Sequence, residues 1–137
     1  MSVRTYDRTQ GKLEVLDKCR VLIEHSIPIL KNENLFPKRD RWILTKPIID
    51  ELIGALTCIR RANSTFVLTD ADYKYRRQNQ VEAHARLGAA LSLIDIAFNV
   101  LNLEGRRVEY WVGLILETDD KLKSWMKSDR ERYTAKQ

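Results

Sequence analysis

The 137-residue chain reads as all-α, an antiparallel up-down-up-down four-helix bundle, on three observations. Apolar residues recur three and four positions apart rather than alternately, the spacing of a helix face and not of a strand. Only 5 glycines and 3 prolines interrupt it, and no hairpin dipeptide separates its apolar runs. The connections between its long periodic segments are short, which places consecutive segments antiparallel.

The first segment spans about residues 12–31, with Leu13, Leu16, Ile23, Ile27 and Leu30 on one stripe, widened by Val15, Cys19, Leu22 and Ile29. Pro28 lies inside it and marks a kink or the last turn. The second segment starts near Pro37, whose fixed φ suits an early helical position, with Phe36 beneath the first turn and Asp40 near the positive end of the dipole. It runs to about residue 63 and presents Trp42, Ile49, Leu52, Ile53, Leu56 and Ile59, with a bend expected at Pro47. After a loop at Asn63-Ser64-Thr65, Phe66, Val67 and Leu68 are expected to tuck under the bundle end.

Thr69 or Asp70 caps a third segment over about residues 71–102. Leu87, Leu91, Ile94, Phe98 and Leu101 step by four and three, while Ala83, Ala90 and Ala97 keep the flank thin enough for close helix approach. The fourth segment carries Val108, Trp111, Val112, Ile115, Leu116, Leu122, Trp125 and Met126. A polar arm over about 1–11 and a polar tail over about 129–137 flank this single domain, and the tail is expected to fray.

The composition excludes several classes of function. Cys19 and Cys58 lie in apolar stretches without a metal-ligand partner and read as reduced core residues. No apolar run approaches the ~20 residues of a membrane span, and the first ten residues are polar, which predicts a cytoplasmic protein without membrane attachment. His84 falls on the stripe of Leu87 and Leu91 and reads as a partly buried, hydrogen-bonded histidine rather than a catalytic one; His25 reads as peripheral. Asp119 and Asp120 are adjacent, and helix neighbours point ~100° apart, so they cannot act as a facing pair. No Gly-rich phosphate loop, nucleophile elbow or zinc motif is present, so neither an enzyme, a metal nor a cofactor is predicted.

The net charge of +5 favours an anionic partner. In an antiparallel bundle one end collects thirteen basic residues: Arg4, Arg8, Lys12, Arg60, Arg61, Lys74, Arg76, Arg77, Lys121, Lys123, Lys127, Arg130 and Arg132. Eight acids share that end, so the whole net charge is assigned to it. Tyr73 and Tyr75 interleave with Lys74, Arg76 and Arg77 in a way that suits stacking on unpaired bases, or packing on neighbouring helices. The nucleic-acid-binding candidates are Arg60, Arg61, Lys74, Arg76, Arg77, Lys121, Lys123 and Lys127.

Leu35-Phe36-Pro37-Lys38-Arg39-Asp40-Arg41-Trp42 resembles the start of the second helix in a superfamily of small bacterial four-helix bundles. One branch is encoded within intervening sequences of large-subunit ribosomal RNA genes; the other comprises the accessory variability determinant proteins of diversity-generating retroelements. The first branch closes its second helix with an Asn-Ile-Ala-Glu-Gly-like sequence, where this chain has Cys58-Ile59-Arg60-Arg61-Ala62-Asn63. Glu117, Leu122 and Trp125, followed by Met126-Lys127, resemble the carboxyl-terminal pattern of the second branch, with Lys123-Ser124 in place of its usual glycine.

That resemblance implies a homopentameric, non-enzymatic partner of a retroelement reverse transcriptase. It would bind the polymerase and its template RNA or RNA/cDNA through basic surfaces and support mutagenic cDNA synthesis. The alternative is a structural or protein-interaction bundle of the ribosomal intervening-sequence type. Trp42, Trp111 and Trp125 belong either to the core or to subunit contacts.

Overall fold

A computed structural model describes the backbone of residues 3–134 and the side chains of residues 14–134. Leu13 and the expected end-cluster residues Arg4, Arg8 and Lys12 therefore lie outside the described side chains, and 135–137 outside the described tail. Among the described residues there are four α-helices and no strand: α1 (Val3–Lys31), α2 (Lys46–Ser64), α3 (Asp70–Leu101) and α4 (Gly105–Thr134). α1 packs on α2 and α4, and α3 packs on the same two, so the four helices enclose one core.

Each helix buries positions that step by three and four. They are Val15, Cys19, Leu22, Ser26 and Ile29 in α1; Ile48, Leu52, Ala55, Ile59 and Ala62 in α2; Ala83, Leu87, Ala90, Ile94 and Ala97 in α3; and Trp111, Ile115, Thr118, Leu122 and Trp125 in α4. A mean step of ~3.5 residues is the seam of helices packed at a shallow angle. α2 and α3 make the most extensive pairing, and both bring alanines to the seam. In α1 the residues expected to widen the stripe hold its centre, whereas Ile27 is exposed.

Both ends of the chain are more helical than the apolar spacing indicates. The described α1 starts at Val3 rather than Lys12, and α4 extends through Asp129 to Thr134. Apolar spacing reports burial, and a run without helix breakers continues the helix past its last apolar residue. Asp129 moreover holds α4 in the core, as described below.

Pro47 sits at the start of α2, preceded by a 3-10 turn over Lys38–Asp40 and a π turn over Arg41–Thr45. A proline ring collides with the carbonyl four residues earlier, and the wider turn, closed by Lys46 N–H on Arg41 O, relieves that collision. The bend expected at Pro47 is thus a local widening of the helix. It takes up one residue, so Leu44 follows Ile48 inward and Trp42 turns outward to 71% exposure. Trp42 therefore leaves the apolar face on which its spacing placed it.

Phe36 is buried and meets Trp111 edge-on at 6.0 Å, fastening the loop after α1 to α4. Asn32 builds that loop by accepting from Asn34 N–H at its side chain and from Phe36 N–H at its carbonyl. Asn102, in the left-handed conformation at φ 54°, closes α3. Burial pushes the Cys19 thiol up to about 12 and raises Cys58 as well, assisted there by Glu82, so both remain unreactive thiols. By length and composition α3 is the one described helix long and apolar enough to cross a membrane, although its inward stripe is occupied by packing. Its apolar character is an average over a window that polar residues interrupt.

The start of α3 carries a reciprocal cap. Thr69 Oγ1 accepts from Asp72 N–H at 3.1 Å, and Asp72 Oδ2 accepts from Thr69 and Leu68 N–H, each at 3.0 Å. Thr69→Ala is expected to cost about 1 kcal/mol in urea unfolding. The two N–H groups hold the Asp72 carboxyl below its ordinary 3.8. The contribution of Asp72 is therefore complete above that value and is lost as pH falls through the lower folded one.

Candidate functional site

The end of α2, the start of α3 and the end of α4 converge on one side chain. Arg76, 1% exposed, donates from Nε to Asp129 Oδ2 at 2.6 Å and from Nη2 to Asp129 Oδ1 at 2.9 Å. Its Nη1 reaches Thr65 O at 3.4 Å, and its guanidinium lies 5.1 Å from the Trp125 ring centroid. Gln80 Nε2 also donates to Asp129 Oδ2, at 2.8 Å. The result is a buried polar layer inside the bundle, with the arginine's donor fork turned toward protein acceptors.

Arg76 is thus removed from the set of surface cations predicted to meet phosphate. The reason is its position: the steps of three and four that carry Leu87 and Ala83 continue back through Gln80 to Arg76, and those of α4 continue from Trp125 to Asp129. Charge led the sequence reading to place both residues outside, while the spacing already placed them inside.

The other seven candidates divide into two groups. Arg77 is half-buried and donates to Met126 O at 3.1 Å. Lys74 pairs with Asp70 at 3.2 Å, Lys121 with Glu14 at 3.0 Å and Lys123 with Asp119 at 3.4 Å. The first two are exposed pairs of small energetic value, so their lysines can still exchange partners, whereas Asp119 is buried and also holds His84. Arg60, Arg61 and Lys127 are exposed and form no ion pair among the described residues.

The aromatic residues divide in the same way. Tyr73 packs on Tyr133 at 5.3 Å, whereas Tyr75 is half exposed. Phe66 and Leu68 do not tuck under the bundle; they stand 79% and 78% exposed on the α2–α3 loop. The chain turns there between the end of α2 and the Thr69 cap, and three consecutive residues in an extended stretch cannot all face one side. Exposed guanidiniums, an exposed phenyl ring and an exposed phenol therefore share one end of the bundle.

His84 Nδ1 lies 2.7 Å from Asp119 Oδ1, so the expected hydrogen bond is present, but the ring is exposed rather than partly buried because residue 84 stands one position off the Ala83–Leu87 seam. The pair can orient an imidazole, but no hydroxyl or thiol lies against the ring as a nucleophile among the described contacts. No group of three or more His, Cys, Asp or Glu side chains converges as a metal site among the described residues. Glu117 pairs with Lys18 across α1 and α4 at 3.5 Å, while Asp95 is exposed on α3. Comparison of the chain with protein-family models, curated proteins and solved structures finds no match.

Proposed function

We propose that this chain is a non-enzymatic accessory protein of the diversity-generating-retroelement type, an up-down-up-down bundle that holds template RNA against its reverse transcriptase. The observation that carries the reading is the set of exposed Arg60, Arg61 and Lys127, without counter-carboxylates among the described residues, on the end that also exposes Phe66 and Tyr75. Guanidiniums and ammoniums attract phosphate and release its counterions, and exposed rings offer stacking faces to unpaired bases. The antiparallel order is supported by opposite-end pairings: Ser26 with Trp111, but Glu14 with Lys121, across α1 and α4. The mechanism is positioning, and the cytoplasm is where it would operate.

Binding of single-stranded template RNA should weaken steeply with salt. The double substitution Arg60→Glu and Arg61→Glu should flatten the log–log salt slope by about 1.4, two phosphate contacts' worth. Filter-binding titrations at several salt concentrations measure this; an unchanged slope in the folded variant would remove this surface from the reading. Co-purification with an adjacently encoded reverse transcriptase tests the partner. Light scattering tests the pentamer, and a monomer mass would exclude the ring.

One observation favours the alternative, a structural bundle of the ribosomal intervening-sequence type. Arg76, Lys74, Lys121 and Lys123 are matched by carboxylates within the chain, which lowers the charge left for a nucleic acid. Salt-insensitive, millimolar RNA binding together with a gene position inside ribosomal RNA would select it.

A further inference from the structure

At the end of the bundle opposite the Arg76 layer, the widened turn before α2 opens a groove of about 460 Å³ between that turn and the end of α1. Leu30, Phe36, Pro37, Trp42 and Ile49 make its apolar surface. Trp42 stands 71% exposed, whereas Trp111 and Trp125 are buried, so the groove holds the protein's one exposed indole. Four cations rim it, Lys31, Lys38, Arg41 and Lys46, against a single lining acid, Glu33. Glu33 engages Lys38 at 3.6 Å and Asp50 engages Lys46 at 2.7 Å, while Lys31 and Arg41 have no ion-pair partner among the described residues.

We infer that this groove is a docking site for an acidic peptide segment of a partner protein, one that carries an apolar anchor flanked by carboxylates. The anchor would lie on Trp42 and Ile49, and the carboxylates would meet Lys31 and Arg41. Charge complementarity selects this occupant. A second copy docked symmetrically on this face would bring the same cationic rim against itself, which disfavours a two-fold contact here. The volume suits one or two apolar side chains, and an amphipathic helix presents such anchors at steps of three and four. The site is independent of the RNA-binding reading, because it uses neither Arg60, Arg61 nor Lys127.

The test uses the full chain and a synthetic glutamate-rich peptide with leucine and phenylalanine at i, i+3, i+4 and i+7. Trp42 is the reporter: its emission should move to shorter wavelength, and acrylamide quenching should fall as the peptide is added. The double substitution Lys31→Glu and Arg41→Glu, at exposed positions, should weaken binding about ten-fold, as expected for two surface contacts of ~0.7 kcal/mol each. Trp42→Ala, followed by anisotropy of labelled peptide, should abolish binding while the circular dichroism spectrum is unchanged.

Three results would overturn the proposal. One is equal binding of the lysine-rich counterpart of the peptide. Another is a Trp42 response to single-stranded oligo-dT but none to the acidic peptide. The third is a fall in the light-scattering mass of Trp42→Ala, which would make the groove a contact between copies. Loss of RNA binding in the Arg60/Arg61 variant with peptide binding intact would separate the two sites.

Discussion

Asp129→Ala is expected to destabilise the protein by about 3–5 kcal/mol, because it leaves the guanidinium of Arg76 charged and unpartnered in the core. Asp129 receives three hydrogen bonds, two from Arg76 and one from Gln80, and no water-facing route remains for Arg76 at 1% exposure. Arg76→Ala should cost a similar amount, since it strands the carboxylate instead. The double substitution Arg76→Met with Asp129→Leu removes both charges and keeps the volume but leaves the buried Gln80 amide without its acceptor, so it should cost about 1–3 kcal/mol, less than either single change. Urea unfolding followed by circular dichroism measures all three as a cycle. Single-mutant losses below about 0.5 kcal/mol, the scale of an ordinary surface change, would show that the pair is not buried in solution.

The same cycle separates folding from binding. Arg76 also donates to Thr65 O, where α2 gives way to the loop bearing Phe66 and Leu68. Losing that donor should loosen the loop without removing Arg60 or Arg61. RNA affinity of the Arg76→Met, Asp129→Leu protein should therefore stay close to that of the parent, while the Arg60→Glu, Arg61→Glu protein loses it at full stability. A loss of affinity in the core variant alone would make the loop, rather than the α2 arginines, the contact surface.

How much of this was legible depends on which physical signal each residue carries. Apolar spacing marked the four helices and most of the core, because Leu52, Ile59, Leu87, Ile94, Trp111, Ile115, Leu122 and Trp125 report burial directly. The burial of Phe36 and the Thr69 cap were also open to sequence reasoning, since each rests on local chemistry. Arg76, Gln80 and Asp129 were not, because a polar residue at a core step is identified only by trusting register over side-chain type. Trp42 was misplaced for a different reason: one extra residue in the π turn rotates everything before it, and Pro47 can be accommodated by a bend as readily as by a wider turn. Phe66 and Leu68 were misplaced because periodicity has no meaning in a short loop. The basic end was legible as a charge excess but not as a surface, since sequence cannot tell which cations the chain pairs with its own acids.

Trp111→Ala is expected to cost about 3–5 kcal/mol, the range for removing a large buried aromatic side chain. Trp111 is fully buried, its Nε1 donates to Ser26 Oγ at 2.7 Å, and Ser26 in turn donates to Leu22 O at 2.7 Å. Ser26→Ala should cost about 1–3 kcal/mol, because it leaves a buried indole N–H without an acceptor. Trp111→Phe keeps most of the apolar volume, and Ser26 retains its bond to Leu22, so its cost should fall well below that of Trp111→Ala. Combining Ser26→Ala with Trp111→Phe should cost less than the sum of the two, since no orphaned donor remains. Phe36 extends the consequence to the groove, because it packs edge-on against Trp111 and also lines the surface beneath Trp42. In Trp111→Ala, Phe36 loses that support, and the acidic peptide should bind more weakly even at temperatures where the protein remains folded. In Trp111→Phe, peptide affinity should be retained; equal affinity in both variants would mean that the groove is held by α1 and the π turn alone.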